Sequence, residues 1–271
     1  MKKLYIILAG LFCVALSPSC SMFGLDLQEN YDYQKKTLDP HINISARQFL
    51  EQRGKTPLVA NDTAFKWMQL GLEYAGIDLD EYTQPGRTFL LLSTNAIRVR
   101  NATTGVITAG MWFDFPIYEK NPDGSQIYLA DGFTPKTHPA TSWKEYPVGD
   151  VKNYFLYLIL KGDYGFDNAT TNNATLETLL PPGAVASNKS KLGYFVAGTT
   201  PNLNQTGARI LTLSASPANG FDPEGKINMV LVNNQDSPLR INNITNCATS
   251  GIIATNGQVH VAATTVYPFR F

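Results

Sequence analysis

Charge is scarce in this sequence: Asp, Glu, Lys and Arg make up 16% of 271 residues, against about 25% in ordinary soluble domains. Neither sign is in surplus, with 22 basic and 22 acidic residues, which excludes the basic surface a nucleic-acid binder uses to meet phosphates. Histidines number three, His41, His138 and His260. They lie far apart and at none of the spacings that place two ligands on one metal, so no metal site is expected. There is no G-x-S-x-G, H-E-x-x-H, P-loop or dinucleotide-binding glycine pattern, and no 20–50-residue repeat. Asp78-Leu79-Asp80-Glu81 groups acids but lacks the glycine and downstream glutamate of a calcium loop, and reads as a helix start. No catalytic residue and no cofactor is expected. What remains is ample apolar material, 44% of residues with 11% aromatic, which excludes disorder.

No apolar run reaches the roughly 20 residues of a membrane-spanning helix. The first run, Leu4 to Leu16, follows Lys2 and Lys3 and leads through Ser17-Pro18-Ser19 to Cys20, which fits a secretory signal. Leu16 to Cys20 resembles a relaxed bacterial lipobox, and Cys20 is then the first mature residue and the site of lipid attachment, including palmitate. Removal of residues 1–19 leaves 252 residues, a net charge of −2 and Cys247 as the one thiol without lipid. No intramolecular disulfide is then possible, and a lone cysteine in an oxidising compartment is expected to be buried. Residues 20–44 read as a tether whose Asp26, Glu29 and Asp32 resemble the surface-export signals of Bacteroidota lipoproteins. The expected location is the cell envelope, as an outer-membrane lipoprotein, with membrane contact through Cys20.

Periodicity places helices early and strands late, an α+β order. Ser45 caps a helix to Arg53, and Asn61-Asp62 cap a second from Thr63 to Ala75 that Gly76 ends. Thr88 to Leu92 is a buried strand. Met111 to Tyr118 alternates and, with the Asp123-Gly124 turn and Gln126 to Ala130, reads as a hairpin. Asp150 caps a helix over Val151 to Leu160. Strands follow at Lys191 to Ala197, Ala208 to Ser214, Lys226 to Val232 and Leu239 to Ile244. Asn256-Gly257 supplies the two positive-φ positions of a hairpin turn, Val259 and Val261 face the core, and Pro268 closes an edge strand.

Four segments in order resemble a fasciclin-like domain. Gly71-Leu72-Glu73-Tyr74-Ala75-Gly76-Ile77 is similar to the family's first core helix. Thr88-Phe89-Leu90-Leu91-Leu92-Ser93-Thr94-Asn95-Ala96-Ile97 resembles its TxFAPTNxAF block, with Leu91-Leu92 in place of Ala-Pro. Phe155 to Gly162 resembles LLYHVVPG, keeping the tyrosine at Tyr157 and replacing the histidine by Leu158. Asn256-Gly257-Gln258-Val259-His260-Val261, ending at Pro268, resembles NGxIHVIDxVLLP. The resemblance implies a single domain over 45–271, with helices packed on a sandwich or wedge of strands. It also implies a non-catalytic adhesion or protein-interaction module. His260, within the last block, is expected to be a hydrogen-bonded structural residue.

Departures from that pattern carry the functional expectation. Insertions are expected at about 98–150, rich in aromatics, and at 180–221, rich in Asn, Gly, Ser and Thr; long connections on a small scaffold commonly carry recognition surfaces. Trp112, Tyr128, Phe133 and Trp143 are able to stack on sugar rings or anchor a protein, with Trp112, Tyr128 and Trp143 the candidate ligand-binding residues, whereas Phe113 and Phe115 read as a satellite core. The alternative function is therefore a glycan-binding accessory lipoprotein of an outer-membrane nutrient importer. Asp62-Thr63-Ala64 resembles a Bacteroidota O-glycosylation motif, and capping explains it equally well. The Asn-x-Ser/Thr triplets at Asn43, Asn101, Asn168, Asn173 and Asn243 are not expected to carry glycans.

Overall fold

Five consecutive residues of β1 (Arg87–Leu92), from Thr88 to Leu92, are buried, because the sheet lies beneath other elements on both of its faces there. The computed structural model describes residues 39–183, 224–232 and 237–268. β1 pairs in parallel with β11 (Gly257–Ala262), Arg87 opposite Gly257 and Leu92 opposite Ala262. On its other side it pairs antiparallel with β6 (Ile159–Lys161). β10 (Thr245–Ala254), β9 (Leu239–Ile241), β8 (Lys226–Leu231) and β7 (Ala174–Glu177) continue antiparallel, giving the order β6-β1-β11-β10-β9-β8-β7. The two ends nearly meet: Leu160 of β6 bridges Thr178 just beyond β7, and Leu179 N–H donates to the Ile159 carbonyl at 2.8 Å. The architecture is mixed, mostly sheet, and nearly closed like a barrel, with few helices.

α1 (Ala46–Gln52) starts where the sequence places it, with a reciprocal Ser45–Gln48 capping box. α2 (Lys66–Tyr74) has no side-chain cap. Asp62 instead pairs with Arg53 at 2.8 Å, so its capping role is withdrawn. Gly76, at φ 63°, ends α2, with Ile77 N–H on the Leu72 carbonyl at 3.0 Å. A tight turn at Leu79–Thr83 is capped by Asp78. α3 (Thr94–Ile97) follows β1 directly. α5 (Val148–Tyr157) begins before Asp150, which lies in its first turn rather than at its cap.

The segment between them departs most from the alternation read in it. A short ladder, β2 (Val99–Arg100) with β3 (Ile107–Ala109), leads to Gly110. There φ is 88°, and a Cβ would meet Ile97 and Arg98 backbone at 2.8 Å. This close approach turns the chain into α4 (Met111–Asp114) instead of a strand. β4 (Ile117–Tyr118) then pairs with β5 (Thr137–His138). Between them, Lys120 bridges Gln126 and Tyr128 bridges Pro135, so 117–138 forms a narrow arm with the expected turn at Asp123-Gly124.

Three further expectations change. Pro40 to Ile44, assigned to the tether, hydrogen-bond along the end of β10: Ile42 N–H to Ile253 O at 3.0 Å, Ile253 N–H to Pro40 O at 2.9 Å and Thr255 N–H to Ile44 O at 3.0 Å. Asn256 does not take a positive φ. The turn with two left-handed residues is Asn242-Asn243, at φ 50° and 61°, between β9 and β10. Pro268 is buried beyond β11, which lies inside the sheet, so it closes no edge strand. The strands expected at Lys191 to Ala197 and Ala208 to Ser214 lie outside the described residues.

Candidate functional site

The residues singled out by the fasciclin resemblance converge on the β6-β1-β11 region, where they do structural work. Thr88 is buried; its Oγ1 donates to the Gly162 carbonyl and accepts the Tyr164 N–H, both at 2.8 Å. Phe89 stacks on Tyr82, centroids 5.1 Å apart. Thr94 Oγ1 reaches the Thr63 and Ala64 carbonyls at 3.1 and 3.2 Å, while Asn95 is exposed. Tyr157 OH donates to Lys226 O at 3.0 Å and accepts from Asn242 Nδ2 at 2.9 Å. Asn256 ties three elements together: its Oδ1 accepts the Ala46 N–H at 2.9 Å, and its Nδ2 donates to the carbonyls of Tyr82 and Gln84. Gly257 is required because a Cβ there would lie 2.0 Å from the Arg87 carbonyl oxygen. His260 is wholly buried. Its Nδ1 accepts the Gly251 N–H at 3.0 Å and its Nε2 faces the Tyr164 carbonyl at 2.7 Å, which assigns the proton to Nε2. Burial lowers its pKa to about 4.

The aromatic segment divides into an inside and an outside. Trp112 is fully buried and Trp143 is 3% exposed. Trp112 meets both Trp67 and Trp143 edge to face, centroids 5.1 and 5.6 Å apart. Trp143 Nε1 donates to the Trp67 carbonyl at 2.8 Å. Neither indole presents a face to solvent, which withdraws Trp112 and Trp143 as a stacking platform. The cause is local. α4 carries Trp112 inward where alternation would have pointed it out, and the Ser142–Glu145 capping box winds Trp143–Glu145 into a tight turn against α2. Phe115 is buried and Phe113 packs at the margin of the same core.

Tyr128 is the ligand-binding candidate that stays outside. It lies on the arm at 50% exposure, beside Leu129 at 48% and near Phe133 at 86%. Exposure of this kind is costly in a loose loop, yet the arm is built to hold it. Leu129 N–H donates to Thr134 O at 2.8 Å. Asp131 accepts the N–H groups of Phe133 and Thr134 at 2.9 and 2.8 Å, and the Thr134 hydroxyl as well. Asp123 accepts from Ser125 N–H and Oγ at 2.9 and 2.6 Å. Hydrogen bonds from Thr134 and from Ser125 hold these two carboxyls below the usual range. At the base, Glu119 pairs with Lys136 at 2.7 Å, and His138 lies between Glu119 at 3.4 Å and Glu145 at 3.1 Å. Phe133, which the sequence reading grouped with Tyr128 as able to stack or anchor a partner, is exposed with it on the Asp131-Gly132 turn.

Among the described residues, no three His, Cys, Asp or Glu side chains lie close enough to hold a metal ion, and no helix is long and apolar enough to cross a membrane. A scan against protein-family models and a search of the curated proteins each return no match to this chain.

Proposed function

We propose that the chain is a lipid-anchored, extracytoplasmic interaction module with a fasciclin-like domain, acting by binding rather than catalysis through the tip of its 117–138 arm. The observation that carries the binding surface is Phe133, 86% exposed, presented with Tyr128 and Leu129 on a turn that Asp131 fixes. Aromatic and aliphatic side chains clustered on an ordered projection resemble the anchors of a protein contact. A fixed turn also reduces the ordering cost of association. The family part of the reading is supported by placement: the segments at 88–97, 155–162 and 254–261 supply three neighbouring strands, β6, β1 and β11, with α2 and α5 packed beside them. The finer wedge of strands and a single domain, now begun at Pro40 rather than at 45 and with insertions near 98–150 and 180–221, belong to this proposal. So do the signal over 1–19, lipid on Cys20 and an outer-membrane location.

The test uses cells bearing the anchored protein. Cells with the wild-type chain aggregate, and the Tyr128→Ser/Phe133→Ser double variant returns them to baseline at equal protein levels and unchanged circular dichroism. Aggregation that survives both substitutions refutes the arm as the contact surface. Separately, Cys20→Ala moves the protein out of the membrane fraction; continued association with the membrane refutes lipidation there. The importer-accessory alternative loses both tryptophans that motivated it.

A further inference from the structure

Beneath the arm, a groove of about 380 Å³ is lined by Arg98, Arg100, Gly105, Val106, Ile107, His138, Pro139 and Thr141. Its volume is near the lower end of the roughly 300–1,000 Å³ of small-molecule sites, so it takes one ring-sized group. Its polar wall is unusual in charge. Arg98 has its guanidinium 3.9 Å from the Trp67 ring centroid and 5.9 Å from that of Trp112. Its Nε is buried with no hydrogen-bond acceptor among the described residues, and no carboxylate pairs with it there. Arg100, two residues on, donates from Nε to the Gly105 carbonyl at 2.8 Å, again with no carboxylate partner among the described residues. Burial, and then the neighbouring Arg100 charge, both disfavour the Arg98 cation. Two like charges held in one groove without a counter-ion form an arrangement that an anion stabilises.

The remaining walls narrow the chemistry. Trp67 holds the Arg98 guanidinium over its ring, Cζ 3.9 Å from the centroid, and a planar guanidinium matches a planar carboxylate in two parallel hydrogen bonds. Gly105 leaves room for this pair: a Cβ there would lie 2.8 Å from Arg100 Nη2. His138 is committed to Glu119 and Glu145 and is not the anion receptor. Those two carboxylates are themselves engaged. Glu145 accepts Thr141 N–H and Oγ1, Ser142 N–H and His138, and Glu119 holds Lys136. Val106, Ile107 and Pro139 add an apolar side for the body of a ring, and the Thr141 hydroxyl, donating to Glu145, keeps lone pairs for a ligand hydroxyl. We propose that this groove binds a carboxylate-bearing sugar unit, with Arg98 and Arg100 gripping the carboxylate and Val106, Ile107 and Pro139 covering the ring. The site is independent of the arm tip, and neither reading requires the other.

The probe is sodium glucuronate, titrated into the mature chain (residues 20–271 with Cys20→Ser) and followed by calorimetry and tryptophan emission. Glucuronate binds and perturbs the emission, because Arg98 covers Trp67, while glucose at the same concentration does neither. Arg100→Gln, at an exposed position, weakens binding about tenfold or more, as expected for losing one charged clamp. Arg98→Lys keeps the cation on Trp67 but loses the planar fork, and weakens binding to a similar extent. Equal binding of glucose overturns the proposal, as does glucuronate binding that is indifferent to Arg100→Gln. Inorganic phosphate binding where glucuronate fails overturns the carboxylate assignment.

Discussion

The imidazole of His260 accepts the backbone N–H of Gly251 at 3.0 Å, across the irregularity where β10 slips register between Thr249 and Ile252 against β11. The bulge leaves that N–H without a ladder partner, and a ring nitrogen supplies one. Protonating Nδ1 would remove the acceptor and place a charge in the core.

Stability should therefore fall in acid over a defined window. The folded pKa, about 4, lies below the ordinary value of 6.5. Above pH 6.5 neither state binds the proton; as the pH falls from 6.5 to 4, the unfolded chain takes it up and the folded chain does not. The loss accumulates to about 3 kcal/mol and levels off below pH 4. Urea unfolding at pH 7 and pH 4.5 checks this, with His260→Gln as the reference that removes the titration. Carboxylates titrate in both proteins, so the difference between their slopes isolates His260. Identical slopes would sink the assignment.

A second expectation concerns Gly71, in the middle of α2. A Cβ at this position would lie 2.6 Å from the Phe155 ring and 2.7 Å from the Trp143 ring. Helix propensity alone favours Ala over Gly by about 1 kcal/mol, whereas overpacking a filled core costs about 1–3 kcal/mol. The packing effect wins here, because Trp143 is held in place by its bond to the Trp67 carbonyl and cannot withdraw. Gly71→Ala should lower stability by about 1 kcal/mol in denaturant titration. In a Trp143→Ala background Phe155, whose ring centroid lies 5.3 Å from that of Trp143, gains space to withdraw, and the same change should cost less or become neutral. A stabilising effect in the otherwise wild-type chain would show that the aromatic layer is loosely packed.

The legible parts of the fold are those where local chemistry and burial agree. β1 is readable because its apolar run is covered on both sides, and α1 because Ser45 and Gln48 complete their box within four residues. Met111 to Tyr118 misleads because its alternation fits a strand, while the decisive contact is Gly110 against the backbone of Ile97 and Arg98. The candidate tryptophans fail with it, since period two and a single helical turn send Trp112 to opposite sides. Asn242 was not singled out at all. It is buried, accepts Asn228 N–H at 2.8 Å and donates to Tyr157 OH and Tyr267 O at 2.9 and 2.7 Å. Its one local signal is an Asn-Asn pair between apolar residues. The arginine groove was equally hidden, because Pro139 and Thr141 reach Arg98 only through the folded arm.

Cys247 offers a probe of the core that needs no mutation of the fold. It lies opposite Ala262 on β10, 3% exposed, and burial pushes its thiol up to about 12. The thiolate is the reactive species, and a rise of three units from 9.0 cuts its fraction about a thousandfold at pH 8. Exclusion of reagent from the closed sheet lowers the rate further. In a chain of residues 20–271 carrying Cys20→Ser, a maleimide should therefore leave the native protein unlabelled for hours and label one thiol within seconds in denaturant. Because opening of β10 from β11 exposes Cys247 and His260 together, acid that destabilises the bulge should also speed the labelling after allowance for the pH dependence of a free thiol. Labelling at the free-thiol rate in the native state would place Cys247 outside the core and contradict the pairing of β10 with β11.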